Sequence, residues 1–277
     1  MNTNAFAPQH PPLAGLIEYF FFNEGTNQQL ASVQTSYANA NICLGVLQNA
    51  TLDFSPTAVH QFTKCTGVQS YLTGLYLPPH RVQLNTVFTE ICINFTPRGY
   101  YYFFDIPLSE AAAQTDILRA AFGQEGVFAF EQILIESCRK TQLFLLENFF
   151  LQHLKSPQSI DLQQIETLLS HHKNALSSVA ELSLSTQLHL KKLYRLCKYY
   201  LGVSPKEYLQ IARFRRTLNR LESRTEYSLT EIAYQMGYYD QSHFIKEIRG
   251  FTGQRPRHLV RNLLNVNDLL VLKIDND

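Results

Sequence analysis

The chain of 277 residues has no tryptophan and only two methionines. No C-x-x-C pair occurs, and the five cysteines, at 43, 65, 92, 138 and 197, are odd in number and far apart. A zinc knot and a disulfide framework are therefore not expected, and a reducing, cytoplasmic setting fits. No apolar run approaches the roughly 18–20 residues that cross a bilayer. The opening MNTNAFAPQHPP has neither a basic start nor an apolar core, so no secretory signal is read there. Neither a Gly-rich phosphate loop nor a G-x-S-x-G elbow is present. His10, His60, His80 and His153 stand apart with no H-x-H pair, which argues against a metal-dependent enzyme; no metal or cofactor is expected.

What is present is an apolar fraction of 45% with 12% aromatic residues, enough for packed cores. The net charge of +1 hides a division. Residues 170–262 carry 16 Lys+Arg against 7 Asp+Glu, whereas residues 1–169 carry 7 against 13. A basic half joined to an acidic one is the footprint of a nucleic-acid reader attached to something else.

The densest signal lies between Ser228 and Leu259. Ser228 and Glu231 have the spacing of a capping box, and Ile232, Ala233 and Met236 follow at helical period. Gly237 suits the positive φ of a sharp helix end. Asp240 can cap a second helix, with Phe244 and Ile248 inward and Gln241, Ser242, His243, Ile245, Lys246 and Arg249 left to solvent or a partner. A short helix with a polar, basic outer face, braced by a preceding helix, fits a DNA major groove.

From Ile232 to Phe244 the residues read I-A-x-x-x-G-Y-x-D-Q-S-x-F, and Phe251 to Pro256 read F-T-G-x-x-P. This stretch resembles the second helix-turn-helix of the AraC family of bacterial transcription regulators. The resemblance implies a first helix-turn-helix upstream. Ser178 to Leu182 fits its supporting helix, Leu193, Arg195, Leu196 and Lys198 its second helix, and Pro205 to Phe214 the long joining helix. Three residues depart from the pattern: Gln187 at the turn glycine, His189 at the cap and Cys197 at an aromatic position. The family pattern carries base contacts to Gln241, Ser242, His243 and Lys246, and in the first head to Lys191, Tyr194 and Arg195. Lys192, Lys198, Arg213, Arg249 and Arg257 are then phosphate contacts.

Between Leu30 and Phe95, runs rich in Val, Ile, Thr, Tyr and Phe are punctuated by Gly, Pro and Asn, the chemistry of six to eight strands. The period changes after Leu108, with one helix over PLSEAAAQTDILRAAF and a longer one over residues 130–155. The fold class is α+β: an N-terminal β-barrel or sandwich with two following helices, then an all-α half with two helix-turn-helix motifs. The order of elements resembles the cupin-like sensor of some AraC-type regulators. Domains are expected at 1–156 and 157–262, with an apolar tail at 263–277 that packs back on the sensor.

A barrel mouth suits a small-molecule effector. Tyr37, Phe54, Phe62, Tyr71, Tyr76 and Phe88 are its candidate lining, with Arg81 or Arg98 to hold an anionic group; the alternative is that these aromatics are core. The expected function is that of a sequence-specific transcription regulator and not an enzyme. Its partners would be double-stranded operator DNA, an unidentified effector, RNA polymerase for an activator, and a second subunit. No membrane is among them. The alternative is a ligand- or protein-binding module whose helix-turn-helix half no longer reads DNA.

Overall fold

The computed structural model describes residues 5–53, 59–111, 116–156, 160–170, 178–222, 228–256, 258–259, 264–266 and 270–275. The first half forms β1 (Ala5–Phe6), β2 (Ile17–Gly25), β3 (Val33–Ser36), β4 (Ile42–Asp53), β5 (Val59–Thr73), β6 (His80–Leu84) and β7 (Phe88–Phe95). These belong to one mixed sheet, curled as a half-barrel, in the order β1-β2-β7-β4-β5-β6-β3. Neighbours are antiparallel except β5 and β6, which run parallel and pair Val59 with Arg81 and His60 with Val82.

Both faces of the central strands are covered, and the two-residue period sorts their side chains. Phe20, Phe22, Ile42, Leu44, Val46, Ile91, Ile93 and Phe95 point to one face and join the main apolar cluster. Phe21, Asn23, Cys43, Glu90, Cys92 and Asn94 alternate with them and line a hollow on the other face. A bulge between Gln48 and Ala50, with Asn49 at φ 66°, lets the β4–β5 hairpin bend onward.

Helices α1 (Pro97–Tyr100), α2 (Leu108–Ala111), α3 (Ile117–Ile135) and α4 (Arg139–Gln152) cover the first face. Phe150 of α4 sits among Phe20, Phe95 and Phe103, with ring centroids 6.4, 5.5 and 5.1 Å away. Burying one such ring stabilises the fold by about 1.5–3 kcal/mol. The single helix expected over 130–155 is instead two. Glu136 is extended, the chain reverses there, and Cys138 opens α4. This hairpin buries Phe130 and Phe149, while Phe128, Ile135 and Phe144 remain 56%, 63% and 60% exposed.

The second half comprises α5 (Ile160–Ser170), α6 (Val179–Thr186), α7 (Leu190–Leu196), α8 (Pro205–Glu222), α9 (Leu229–Gln235) and α10 (Gln241–Thr252). A π-helical turn, Cys197–Leu201, extends α7, with Cys197 fully buried. The apolar cluster of the sheet runs on through Ile165, Leu168, Leu182, Leu193, Leu196 and Ile211 without a break. The Tyr101 hydroxyl donates to the Tyr200 carbonyl at 2.9 Å across the same seam.

A second cluster gathers Phe214, Leu218, Ile232, Ala233, Tyr238, Phe244, Ile248 and Leu259. Tyr37 and Ala38, from the β3–β4 connection, complete it. The tail returns to the sheet: β8 (Leu264–Val266) pairs with β9 (Leu270–Asp275), and β9 runs antiparallel to β3, with Gln34 opposite Ile274.

Candidate nucleic-acid interface and effector pocket

The second helix pair is fixed at each end by groups that satisfy free backbone donors. Ser228 Oγ accepts from the Glu231 N–H at 3.2 Å, and Glu231 Oε2 accepts from the Ser228 N–H at 2.6 Å. The Ser228 N–H, and then its hydroxyl, hold the Glu231 carboxyl below its ordinary range. Gly237, at φ 78°, lets the Tyr238 N–H reach back to the Ala233 carbonyl at 2.9 Å. Asp240 then caps α10 through the His243 N–H at 2.7 Å. With Phe244 and Ile248 buried, Ser242, His243, Lys246 and Arg249 stand exposed on the opposite face. Gln241 Oε1 accepts from the Thr230 hydroxyl at 3.0 Å. His243 packs edge-on to Tyr238, 5.5 Å between centroids, and its Nε2 lies 3.8 Å from Glu247.

The first pair is turned and capped by other residue types. Gln187 takes the turn in the left-handed region at φ 56°, where glycine is the cheaper residue. His189 caps α7, its Nδ1 accepting from the Lys191 N–H at 3.3 Å. Lys191 and Tyr194 are exposed. Arg195 and Lys192 share one carboxylate: Asp161 of α5 accepts from Arg195 Nη2 at 3.0 Å and lies 3.6 Å from Lys192 Nζ. Sequence spacing gave no sign of this contact, because Asp161 is 34 residues from Arg195. Lys198 pairs with Glu207 at 3.4 Å. The Ser204 N–H and hydroxyl also bond Glu207, and with Lys198 they hold its carboxyl below the usual range.

Arg213, expected on a phosphate, is largely buried and committed elsewhere. Its Nε and Nη2 donate to Glu247 at 3.0 and 2.7 Å, and its guanidinium lies 4.6 Å from the Tyr238 ring centre. A bidentate pair of this kind holds α8 against α10. Arg257 lies outside the described residues.

The concave face holds a cavity whose lining differs from the expected one. Phe62, Tyr71 and Tyr76 border a cavity of about 90 Å³ on the concave face. Tyr37 does not border it; the ring is buried in the second apolar cluster. Phe88 packs against Phe62 at 4.5 Å as core. Arg81 is exposed, because its neighbours His80 and Val82 take the inward positions of β6. Arg98 lies on α1 and pairs with Glu166 of α5 at 3.0 Å. Phe54 is outside the described residues.

The polar lining was missed in the sequence. Glu90 is buried and accepts from the Tyr71 hydroxyl at 2.6 Å and from Asn23 Nδ2 at 2.9 Å. Burial pushes its carboxyl up, against the pull of those two donors. Gly45 gives the Tyr71 ring its place, since a Cβ there would overlap it. His60 and His80 come together at 5.4 Å between rings, and Tyr76 stacks on His80 at 3.9 Å. Burial, then the charge of His60, lowers His80 to about 4. The parallel β5–β6 register unites them, and alternation within each strand does not reveal that register.

Residues 182–262 match the family model described as a helix-turn-helix domain. They are a helix-turn-helix domain. Among curated proteins no sequence matches the chain. Among solved structures, ToxT from Vibrio cholerae is similar over 87% of this chain and 98% of its own, at 10% identity and a TM-score of 0.46. A transcriptional regulator with an AraC-type DNA-binding domain from Chromobacterium violaceum is similar over 36% of this chain and 91% of its own, at 22% identity and a TM-score of 0.34. The C-terminal domain of AraT, a response regulator from Geobacillus stearothermophilus, is similar over 38% and 85%, at 23% identity and a TM-score of 0.33. The helix-turn-helix domain contains α7 and α10, so both basic outer faces described above belong to it.

Proposed function

We propose that the chain is a sequence-specific DNA-binding transcription regulator whose β-rich half, residues 1–156, binds a small-molecule effector. Residues 157–262 hold the two reading heads, and 263–277 are a tail whose β9 pairs with β3. The observation that carries this reading is α10. Its caps and its buried Phe244 and Ile248 leave Ser242, Lys246 and Arg249 free to enter a major groove. Gln241, Ser242, His243 and Lys246 read bases there, and Lys191, Tyr194 and Arg195 do so in a neighbouring groove, with half-site centres roughly 10 bp apart. Lys192, Lys198 and Arg249 contact phosphates. The exposed Phe128, Ile135 and Phe144 support a homodimer through the α3–α4 face, checked by sedimentation. RNA polymerase is the further partner if the protein activates.

Selection of bound fragments from genomic DNA at two salt concentrations tests the reading. A shared bipartite motif is expected. On that motif Lys246→Ala costs about 1–3 kcal/mol, with a smaller loss on random duplex. Equal losses on both would remove Lys246 as a base reader.

A second reading, a ligand- or protein-binding module with a silent DNA half, is favoured by the one acid, Asp161, that occupies both Arg195 and Lys192. Absence of DNA retention at low salt, with no recovery in Asp161→Asn, would select it.

A further inference from the structure

The concave pocket holds more information than its aromatic walls. Among the described residues that line it there is no Lys or Arg. Arg215 of α8 acts on Tyr76 but also on Glu18, and it is not part of the lining. An anion entering here would lose its hydration and meet no Lys or Arg in the lining. The one carboxyl in the wall, Glu90, already accepts a hydrogen bond at each oxygen, from Tyr71 and Asn23. Burial favours its neutral form, so it is no ready counter-ion for a cation either.

The other polar groups are uncharged and of both kinds. Asn39, Asn94 and Gln34 each offer a carbonyl and an amide N–H, and Ser36 and Thr73 offer hydroxyls. His60 and His80 are held toward neutral imidazole by burial, leaving each one N–H and one lone pair. The cavity measures about 90 Å³. A sealed space of about 150 Å³ takes benzene in another protein. This one is smaller but open, so a single ring enters only as side chains give way, and an acyl chain has no room within it.

We propose that this pocket takes an uncharged, single-ring molecule that both donates and accepts hydrogen bonds, and takes neither carboxylates nor acyl chains. The ring lies against Tyr76 and Phe62, and its polar atoms meet the amides and imidazoles. The inference rests on the reading of the β-rich half as an effector-binding unit.

The full chain is titrated with nicotinamide, uracil and phenol as neutral probes, benzoate and palmitate as anions, and benzylamine as a cation. Ligand-observed NMR and thermal shift report binding. At least one neutral probe is expected to bind saturably, with affinity at least tenfold weaker in Leu52→Trp, which fills the cavity. Where that variant fails to fold, competition between two neutral probes on the unmodified protein reports the shared site. Tighter binding of benzoate or palmitate than of every neutral probe would overturn the proposal. So would tighter binding of benzylamine that is lost in Glu90→Gln, or silence of all three neutral probes at millimolar concentration. DNA retention is measured on the same preparation. A recovered motif with a silent pocket defeats this inference alone, and ring binding without DNA retention defeats the regulator reading alone.

Discussion

Replacing Asp161 by Asn should tighten DNA binding while slightly weakening the fold. Asp161 occupies two cations of the first reading head, at 3.0 Å from Arg195 and 3.6 Å from Lys192. The Arg195 and Lys192 side chains are 62% and 38% exposed, so each contact is a solvent-screened pair. Such pairs contribute about 0.2–1 kcal/mol apiece. DNA that engages both cations must first displace the carboxylate, so Asp161→Asn returns about 0.4–2 kcal/mol to binding, roughly two- to thirty-fold in Kd. The effect on stability has the opposite sign. Asp161 lies in the first turn of α5, where an acid is favoured by about 0.3–1 kcal/mol by the helix dipole. Fluorescence anisotropy on the selected duplex, over a salt series, measures the first change, and thermal unfolding measures the second. In an Arg195→Ala, Lys192→Ala background the binding gain should vanish. Unchanged or weaker binding by the folded variant would refute the reasoning, as would an undiminished gain in that background.

Arg213→Ala should unfold rather than merely weaken DNA contact. It strands the 9%-exposed Glu247 carboxylate at a cost of about 3 kcal/mol, read by urea denaturation. A reduced salt slope at unchanged stability would instead return Arg213 to the phosphate contacts. Gln187→Gly should raise stability by up to about 1 kcal/mol, because the turn sits at φ 56°; a loss in thermal unfolding would show that the side chain matters more than the backbone. His80 binds its proton at about 4 in the fold and at its ordinary value when unfolded. The unfolded chain therefore holds more protons between pH 6.5 and 4, and stability falls through that window on acidification, by at most about 1.4 kcal/mol per pH unit. His80→Gln should flatten that slope, and an unaltered slope would assign the acid sensitivity to other groups.

The second helix pair was the most legible part of the chain because its signals are local. Ser228 with Glu231, Gly237 and Asp240 each act within a few residues, and each makes the contact its spacing announces. The strand chemistry of the first half was readable in part: Leu30 to Phe95 holds five strands, and β1 and β2 lie before it. Partnership across distance was not. Nothing near Arg195 announces Asp161, nothing near Arg213 announces Glu247, and Arg98 belongs to Glu166. In the pocket, the inward and outward positions depend on strand register: Arg81 points out because His80 and Val82 point in. The helix over 130–155 was misjudged for a related reason. Its apolar residues were too many for one face, and a hairpin of two helices buries part of the excess, Phe130 and Phe149, while Phe128, Ile135 and Phe144 stay exposed.

Tyr37 and Ala38 give the chain an uncommon kind of indivisibility. The connection that carries them also places Ser36 and Asn39 in the pocket wall, so one short stretch serves the cavity with two side chains and the second apolar cluster with the other two. Excised reading heads would lose Tyr37 and Ala38, two buried members of their own apolar cluster. A chimaera that joined this C-terminal half to a foreign sensor would inherit the same gap. Exchange of halves by recombination would then succeed only when those few residues travel with the helices they complete, even though the gene encodes them far upstream.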